Sequence, residues 1–175
     1  MQVMELLSKM NDKKSLRAWA KQFDKSGSSE KLMQALIECE EYKNAQSVML
    51  FYPLKKEVNL LALLKDKTKN FYLPKIDGEN MLCCPFNGGE ELCISCFNTK
   101  EPASAPVDKS KIDLVIVPAL CCDKNNYRLG YGGGFYDRFL NDYKGKTIVC
   151  LPKNLIVDTI CPESYDIPVD TVITC

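Results

Sequence analysis

No histidine occurs in the 175-residue chain. The commonest metal ligand, and the one side chain that titrates unperturbed between pH 5 and 8, is therefore missing, and a zinc site would have to be assembled largely from thiolates. Net charge is missing too. The 23 Lys and Arg balance the 23 Asp and Glu, so no overall field recruits nucleic acid or an acidic membrane surface, and binding must be local. No apolar run approaches the ~20 residues of a membrane-spanning helix. The first stretch, MQVMELLSKMNDKKSLRAWAKQ, is broken by charges where a secretory leader would be apolar. The expectation is a cytoplasmic protein, a monomer, with neither nucleic acid nor membrane as partner.

Ten cysteines would suit a disulfide scaffold in a small secreted protein, but without an export signal and with ample aliphatic residues they read as reduced thiols serving as small core groups. Cys83, Cys84, Cys93 and Cys96 include a Cys-x-x-Cys knuckle that can be read as a zinc-stabilised interaction domain. Against that, a vicinal pair does not easily aim both sulfurs at one metal. The length suits one core, hence a single domain over 1–175.

Along the chain, helical and strand patterns alternate. Residues 2–23 carry an uneven apolar stripe (Val3, Leu6, Leu7, Met10, Leu16, Trp19, Phe23) interrupted near Asn11 and Asp12, which fits two helices or one bent helix. SGSSEKLMQALIECEEY predicts a helix capped by Ser28 or Ser29. SVMLFYP reads as a buried strand, EVNLLALLKD as a helix, and NFYLPKI as a strand. MLCCPF and ELCISCF read as strands around an Asn-Gly-Gly turn. TKEPASAPVDKS is a connector by composition. KIDLVIVPAL has the apolar run of a strand buried on both faces of a parallel sheet. After it come RLGYGGGFYDRFL, a helix to about Tyr143, the strand KTIVCL, a helical segment near Val157 and the strand TVITC. The pattern predicts an α/β three-layer sandwich with a mostly parallel central sheet flanked by helices.

The glycine stretch 130–134 follows the most buried strand and leads into a helix, the usual place for a ligand in an open α/β sheet. Without side chains in the way, successive amides can turn toward one centre and approach a phosphate, with the helix amino terminus adding its dipole. Arg128 and Arg138 can supply charge-assisted bonds, and Asp137 can hold a magnesium ion against the phosphates. A turn required only for tight packing, with Asp137 facing the helix dipole, fits the same residues. The loop lacks the lysine and serine of a Walker loop and is not a GxGxxG fingerprint.

RLGYGGGFYDR resembles the signature of the 5-formyltetrahydrofolate cyclo-ligase (5,10-methenyltetrahydrofolate synthetase) family. Three further stretches agree in order: KKSLR, FYPLKKEV and SYDIPVD. The resemblance implies a NagB/RpiA/CoA-transferase-like fold. It also implies closure of the formyl group of 5-formyltetrahydrofolate into 5,10-methenyltetrahydrofolate with ATP and Mg2+, releasing ADP and phosphate. In the family's arrangement Lys13, Arg17, Arg128, Leu129, Gly130, Tyr131, Gly132, Gly133, Gly134, Phe135 and Tyr136 meet ATP. Tyr52, Glu57 and the 131–135 segment meet the folate, Asp137 and Asp166 hold the metal, and Arg128 with Gly132, Gly133 and Gly134 is catalytic. No protein nucleophile or histidine base is needed, because the reacting groups belong to the substrate. The folate's glutamyl tail needs a cationic or polar rim, for which Lys55, Lys56 and Lys75 are candidates. A silent nucleotide- or folate-binding module on the same fold is the alternative.

Taken singly, Lys13 and Arg17 fit solvated helix charges, Glu57 a first-turn carboxylate, Tyr52 a core residue and Asp166 a turn residue. Two positions depart from the family pattern: Tyr165 stands where relatives commonly carry histidine, and Phe135 where tyrosine is frequent. Phe135 keeps a ring for stacking on a pterin and loses a hydroxyl. Tyr165 alters the surroundings of Asp166.

Overall fold

The computed structural model describes residues 12–95 and 97–175. The first part of the amino-terminal stripe, through Met10, and Cys96 lie outside the described residues.

Among the described residues, eleven strands form three sheets. The central one runs in the order β11 (Thr171–Thr174), β9 (Lys146–Leu151), β6 (Leu114–Ile116), β1 (Ser47–Met49), β2 (Asn70–Asp77), β3 (Asn80–Pro85), and every pair is parallel except β2 with β3. Period-two alternation divides its side chains between two cores. Met49, Val115, Val117, Val149 and Leu151 face one side, with helix α1 (Lys13–Ala20) and helix α4 (Phe135–Leu140) packed on it. Val48, Leu50, Leu114, Ile116, Ile148 and Cys150 face the other, covered by helix α2 (Ser29–Glu38), Tyr42 of helix α3 (Glu40–Asn44), and Leu63 of a 3-10 turn, Leu61–Lys65. Burial on both faces explains the unbroken apolar runs of β1 and β6; each fully buried Leu or Ile contributes roughly 1.5–3 kcal/mol.

The α/β, mostly parallel reading therefore holds, with corrections of detail. Asp12 caps α1, its carboxylate accepting from the Ser15 amide at 2.9 Å. Neither Ser28 nor Ser29 caps α2 through its hydroxyl: Ser28 makes no side-chain cap bond, and the Ser29 hydroxyl donates to the Ser26 carbonyl. EVNLLALLKD forms only the 3-10 turn, because Asn59 captures the Leu61 amide at one end and Asp66 is committed to Thr68 at the other. MLCCPF and ELCISCF do not pair across Asn87–Gly89. Glu90 takes the amides of Asn87, Gly88 and Gly89 on one carboxylate oxygen, β3 pairs back to β2, and β4 (Leu92–Ile94) pairs with β5 (Lys100–Pro102) inside the supposed connector. Helix α4 stops at Leu140 instead of Tyr143, where short polar Asn141 and Asp142 end it. The helical segment near Val157 is a 3-10 turn, Lys153–Leu155, followed by strand β10 (Ile156–Val157).

One element went unread altogether. Between β6 and the glycine stretch the chain forms a hairpin, β7 (Cys121–Asp123) with β8 (Arg128–Leu129), to which β10 adds in parallel. The glycine stretch thus leaves a small second sheet and does not follow β6 directly. Strand order reverses between β1, which leads toward β2, and β6, which leads toward β9. The crevice beyond the carboxyl ends at such a switch point is where open α/β sheets bind ligands.

Five cysteines (Cys83, Cys84, Cys121, Cys122 and Cys150) are buried, and all nine described ones are free thiols. Burial pushes the Cys83 thiol up to about 11 and the Cys121 thiol to about 12. Cys93, by contrast, is exposed on the β4–β5 hairpin, so it is not a core group. Cys83 and Cys84, adjacent in β3, point to opposite sides of the sheet.

Candidate active site

One cavity of about 680 Å³ lies at the switch point, and every ATP, pterin and metal contact that the family resemblance implies lines it. Arg138, the other candidate for a charge-assisted bond to phosphate, does not: its Nε donates to the Glu79 carbonyl at 3.0 Å. The loop after β1 supplies Tyr52 and Glu57, helix α1 supplies Lys13 and Arg17, and the segment 128–137 supplies the opposite wall. The chain from Glu163 to Asp166 closes one end.

The glycine stretch is held from outside. Arg17 Nε donates to the Gly130 carbonyl at 2.9 Å, so this arginine positions the loop as well as facing the cavity. Gly132 (φ 108°) and Gly134 (φ 68°) adopt left-handed conformations that other residues rarely take, and Gly134 leads into α4. At Gly133 the constraint is contact: a Cβ would lie 2.8 Å from the Phe135 ring. The bare main chain is therefore needed partly to seat the Phe135 ring, which itself meets Phe97 edge-on at 5.4 Å between centroids.

Arg128 is buried, 5 % exposed. Its Nη2 lies 3.2 Å from Asp137 Oδ1, an oxygen that also accepts from the Ile167 amide, and its guanidinium sits 5.5 Å from the centre of the Tyr136 ring. Arg128 Nε and the Tyr136 hydroxyl are buried, and neither finds a partner among the described residues. Two orphaned donors on one cavity wall are what an anionic or oxygen-rich guest would satisfy, because leaving such groups unmet costs about 1–3 kcal/mol each.

Lys13 Nζ stands 2.5 Å from Asp166 Oδ2 and 3.5 Å from Glu163 Oε2, beneath the Tyr165 ring at 5.1 Å. Asp166 also accepts from the Glu163 amide, so it shapes the turn while facing the cavity. The two carboxylates proposed for a metal, Asp137 and Asp166, are thus each paired with a cation, Arg128 and Lys13. Among the described residues no group of three or more Cys, Asp or Glu forms a preassembled metal cage. Two hard carboxylate groups are nevertheless the donor type that suits magnesium.

On the facing wall Glu57 is buried; it accepts from the Leu54 amide and from the Tyr131 hydroxyl, both at 2.7 Å. Burial, with the Glu57 charge adding to it, pushes the Tyr131 phenol well above its ordinary range, so it stays a donor. The apolar part of the lining, Phe51, Pro74, Ile76, Met81 and Phe97, escaped sequence reading because strand hydrophobes look alike whether they face core or cavity. Of the tail candidates, Lys55 and Lys56 line a neighbouring cavity, and Lys75 lines neither.

The model of the 5-formyltetrahydrofolate cyclo-ligase family matches residues 4–175. The chain belongs to this family. It is 26% identical to the 5-formyltetrahydrofolate cyclo-ligase of Mus musculus over 187 aligned positions, covering 92% of each chain. It is 29% identical to that of Escherichia coli K12 over 142 positions, 74% of this chain and 78% of the relative. In structure it is similar to the 5,10-methenyltetrahydrofolate synthetase of Aquifex aeolicus, with a TM-score of 0.81 and 30% identity, covering 93% of this chain and 89% of the other. The synthetase of Mycoplasma pneumoniae shares the fold, with a TM-score of 0.73 at 21% identity. No helix of the described residues is long and apolar enough to cross a membrane.

Proposed function

We propose that this cyclo-ligase family member closes 5-formyltetrahydrofolate to 5,10-methenyltetrahydrofolate with ATP and Mg2+. The observation that carries the reading is a single cavity. On one wall it presents cations, two orphaned donors and bare main chain, and on the other an apolar pocket ending in a buried carboxylate.

The formyl oxygen of the substrate is a poor leaving group, so N10 attack does not finish unaided. Transfer of the γ-phosphoryl group to that oxygen breaks the P–O bond to ADP and leaves an iminium phosphate. N10 adds to the formyl carbon and gives up its proton, and the C–O bond breaks with phosphate departing. The protein positions the two substrates and offsets charge. Arg128 Nε and the Tyr136 hydroxyl would bind phosphate oxygens, Lys13 would add charge, and Arg17 would fix the loop. Asp137 and Asp166 would hold magnesium, which when bound neutralises phosphate charge. Glu57 would accept from the pterin's N–H groups, and Phe135 would stack on its ring. No step calls for a protein base, in keeping with a histidine-free chain. The fold supports assignment to the NagB/RpiA/CoA-transferase-like class, and the reading takes the protein as a cytoplasmic monomer.

Protein, magnesium, ATP and 5-formyltetrahydrofolate together should give the near-ultraviolet absorbance of the methenyl product. No rise above a protein-free control would reduce the chain to a silent binding module.

A further inference from the structure

Arg138 stands outside the cavity, and among the described residues it forms no ion pair. Its place is defined by other contacts. Nε donates to the carbonyl of Glu79, in the turn that joins β2 to β3. The guanidinium carbon stands 4.9 Å from the centre of the Phe135 ring, within cation–π range. Nη1 lies 2.7 Å from where a Cβ on Gly134 would stand, so the left-handed glycine also makes room for the guanidinium.

Helix geometry brings the two side chains together, because residues three apart in α4 are neighbours on its surface. It does not hold them there. Arg138 is exposed on a long, flexible stem, and Phe135 opens the helix. The Glu79 carbonyl removes the freedom of the stem by tying it to a different element of the fold. With Nε anchored, the planar fork is presented to the ring, which a lysine with its single ammonium could not match.

Phe135 is thereby gripped from three elements. Arg138 covers one face, Phe97 of the β4–β5 hairpin meets its edge, and Gly133 packs against Cδ2 and Cε2. The face held by the guanidinium is closed to a planar guest, so a pterin has only the other face to stack on. A ring pinned in one plane spares that guest the cost of ordering it.

We propose that Arg138 is a positioning residue for the folate: it acts through Phe135, fixing the plane and the free face of the ring on which the pterin stacks. The proposal rests on the cyclisation reading and on Phe135 as the stacking ring.

The test measures kcat and both KM values. Arg138→Met keeps an apolar stem and loses the fork; it should raise KM for 5-formyltetrahydrofolate about two- to fivefold, the size of an exposed cation–π contact, with kcat and KM for ATP unchanged. Arg138→Lys should fall between it and the wild type, and it carries the test if Arg138→Met does not fold. Phe135→Leu alone should raise the folate KM, and in that background neither Arg138 variant should raise it further. An unchanged folate KM in the Arg138 variants, a rise in KM for ATP instead, or an effect that persists in full without the ring overturns the proposal while leaving cyclisation intact. So does an unchanged folate KM in Phe135→Leu. Absence of turnover in the wild type removes the cyclisation reading, and the proposal with it.

Discussion

The Tyr131 hydroxyl donates to Glu57 Oε1 at 2.7 Å, joining the glycine stretch to the loop after β1 across 74 residues of sequence. This bond links the wall proposed for nucleotide to the wall proposed for folate. Removing it leaves a buried carboxylate one donor short, which costs about 1–3 kcal/mol. Tyr131→Phe should therefore lower thermal stability and raise KM for both substrates together. Steady-state kinetics with each substrate varied in turn would check this; a change confined to ATP would break the proposed link.

Asp137 has two roles to separate. Its Oδ1 holds Arg128 Nη2 at 3.2 Å, and the same carboxylate is the candidate for magnesium. Asp137→Asn keeps an oxygen acceptor for Arg128 and loses the charge that a hard cation requires. The half-saturating magnesium concentration should rise by about tenfold or more. A fall in kcat with an unchanged magnesium titration would make Asp137 an anchor for Arg128 alone.

Much of this site was legible in the sequence because its chemistry lies in local clusters. Glycines at 130 and 132–134, and the charges at 128 and 137, stand within ten residues of one another, and they stay together whatever the fold does. The neighbouring, lysine-lined cavity was illegible for the opposite reason. Lys25 and Lys100 line one cavity only through the fold, and nothing in DKSGS or TKEPAS marks either as facing it. The β7–β8 hairpin was missed because its strands are three and two residues long, too short to carry a period. EVNLLALLKD failed as a helix because side-chain captures by Asn59 and Asp66 outcompeted an apolar pattern that fits either element.

Asp113 offers a test of the scaffold beside the switch point. Its carboxylate accepts from the Gln46 amide, the Ser47 amide and the Ser47 hydroxyl, tying β1 to the start of β6. Partial burial pushes its pKa up, but the hydrogen bonds from Ser47 and Gln46 outweigh that and hold it below the usual carboxylate value. A lowered folded-state pKa means stabilisation that is complete above the unfolded value, about 3.9, and fades as pH falls through the folded one. Asp113→Ala should lose about 1 kcal/mol at pH 7, modest because the side chain is partly solvated, or about 2–4 °C in Tm. The gap from wild type should narrow below about pH 4. Thermal melts across pH 3 to 7 would show it, and a gap that widens toward low pH would contradict it.

Gly133 tests why the loop is bare. A Cβ there would meet Cδ2 and Cε2 of Phe135 at 2.8 Å, closer than such contacts ever stand, and these atoms belong to the rigid body of the ring. Unlike Gly132 and Gly134, the backbone itself needs no left-handed conformation at this position. Gly133→Ala should therefore fold with nearly unchanged helix content by circular dichroism while pushing the ring out of line with Phe97. If Phe135 stacks on the pterin, KM for the folate rises more than KM for ATP. Replacing Phe135 by Leu in the Gly133→Ala background relieves the clash without restoring the stack, so it should recover stability but not folate affinity. Full recovery of both would mean that the ring only packs, and that the glycine serves the turn alone.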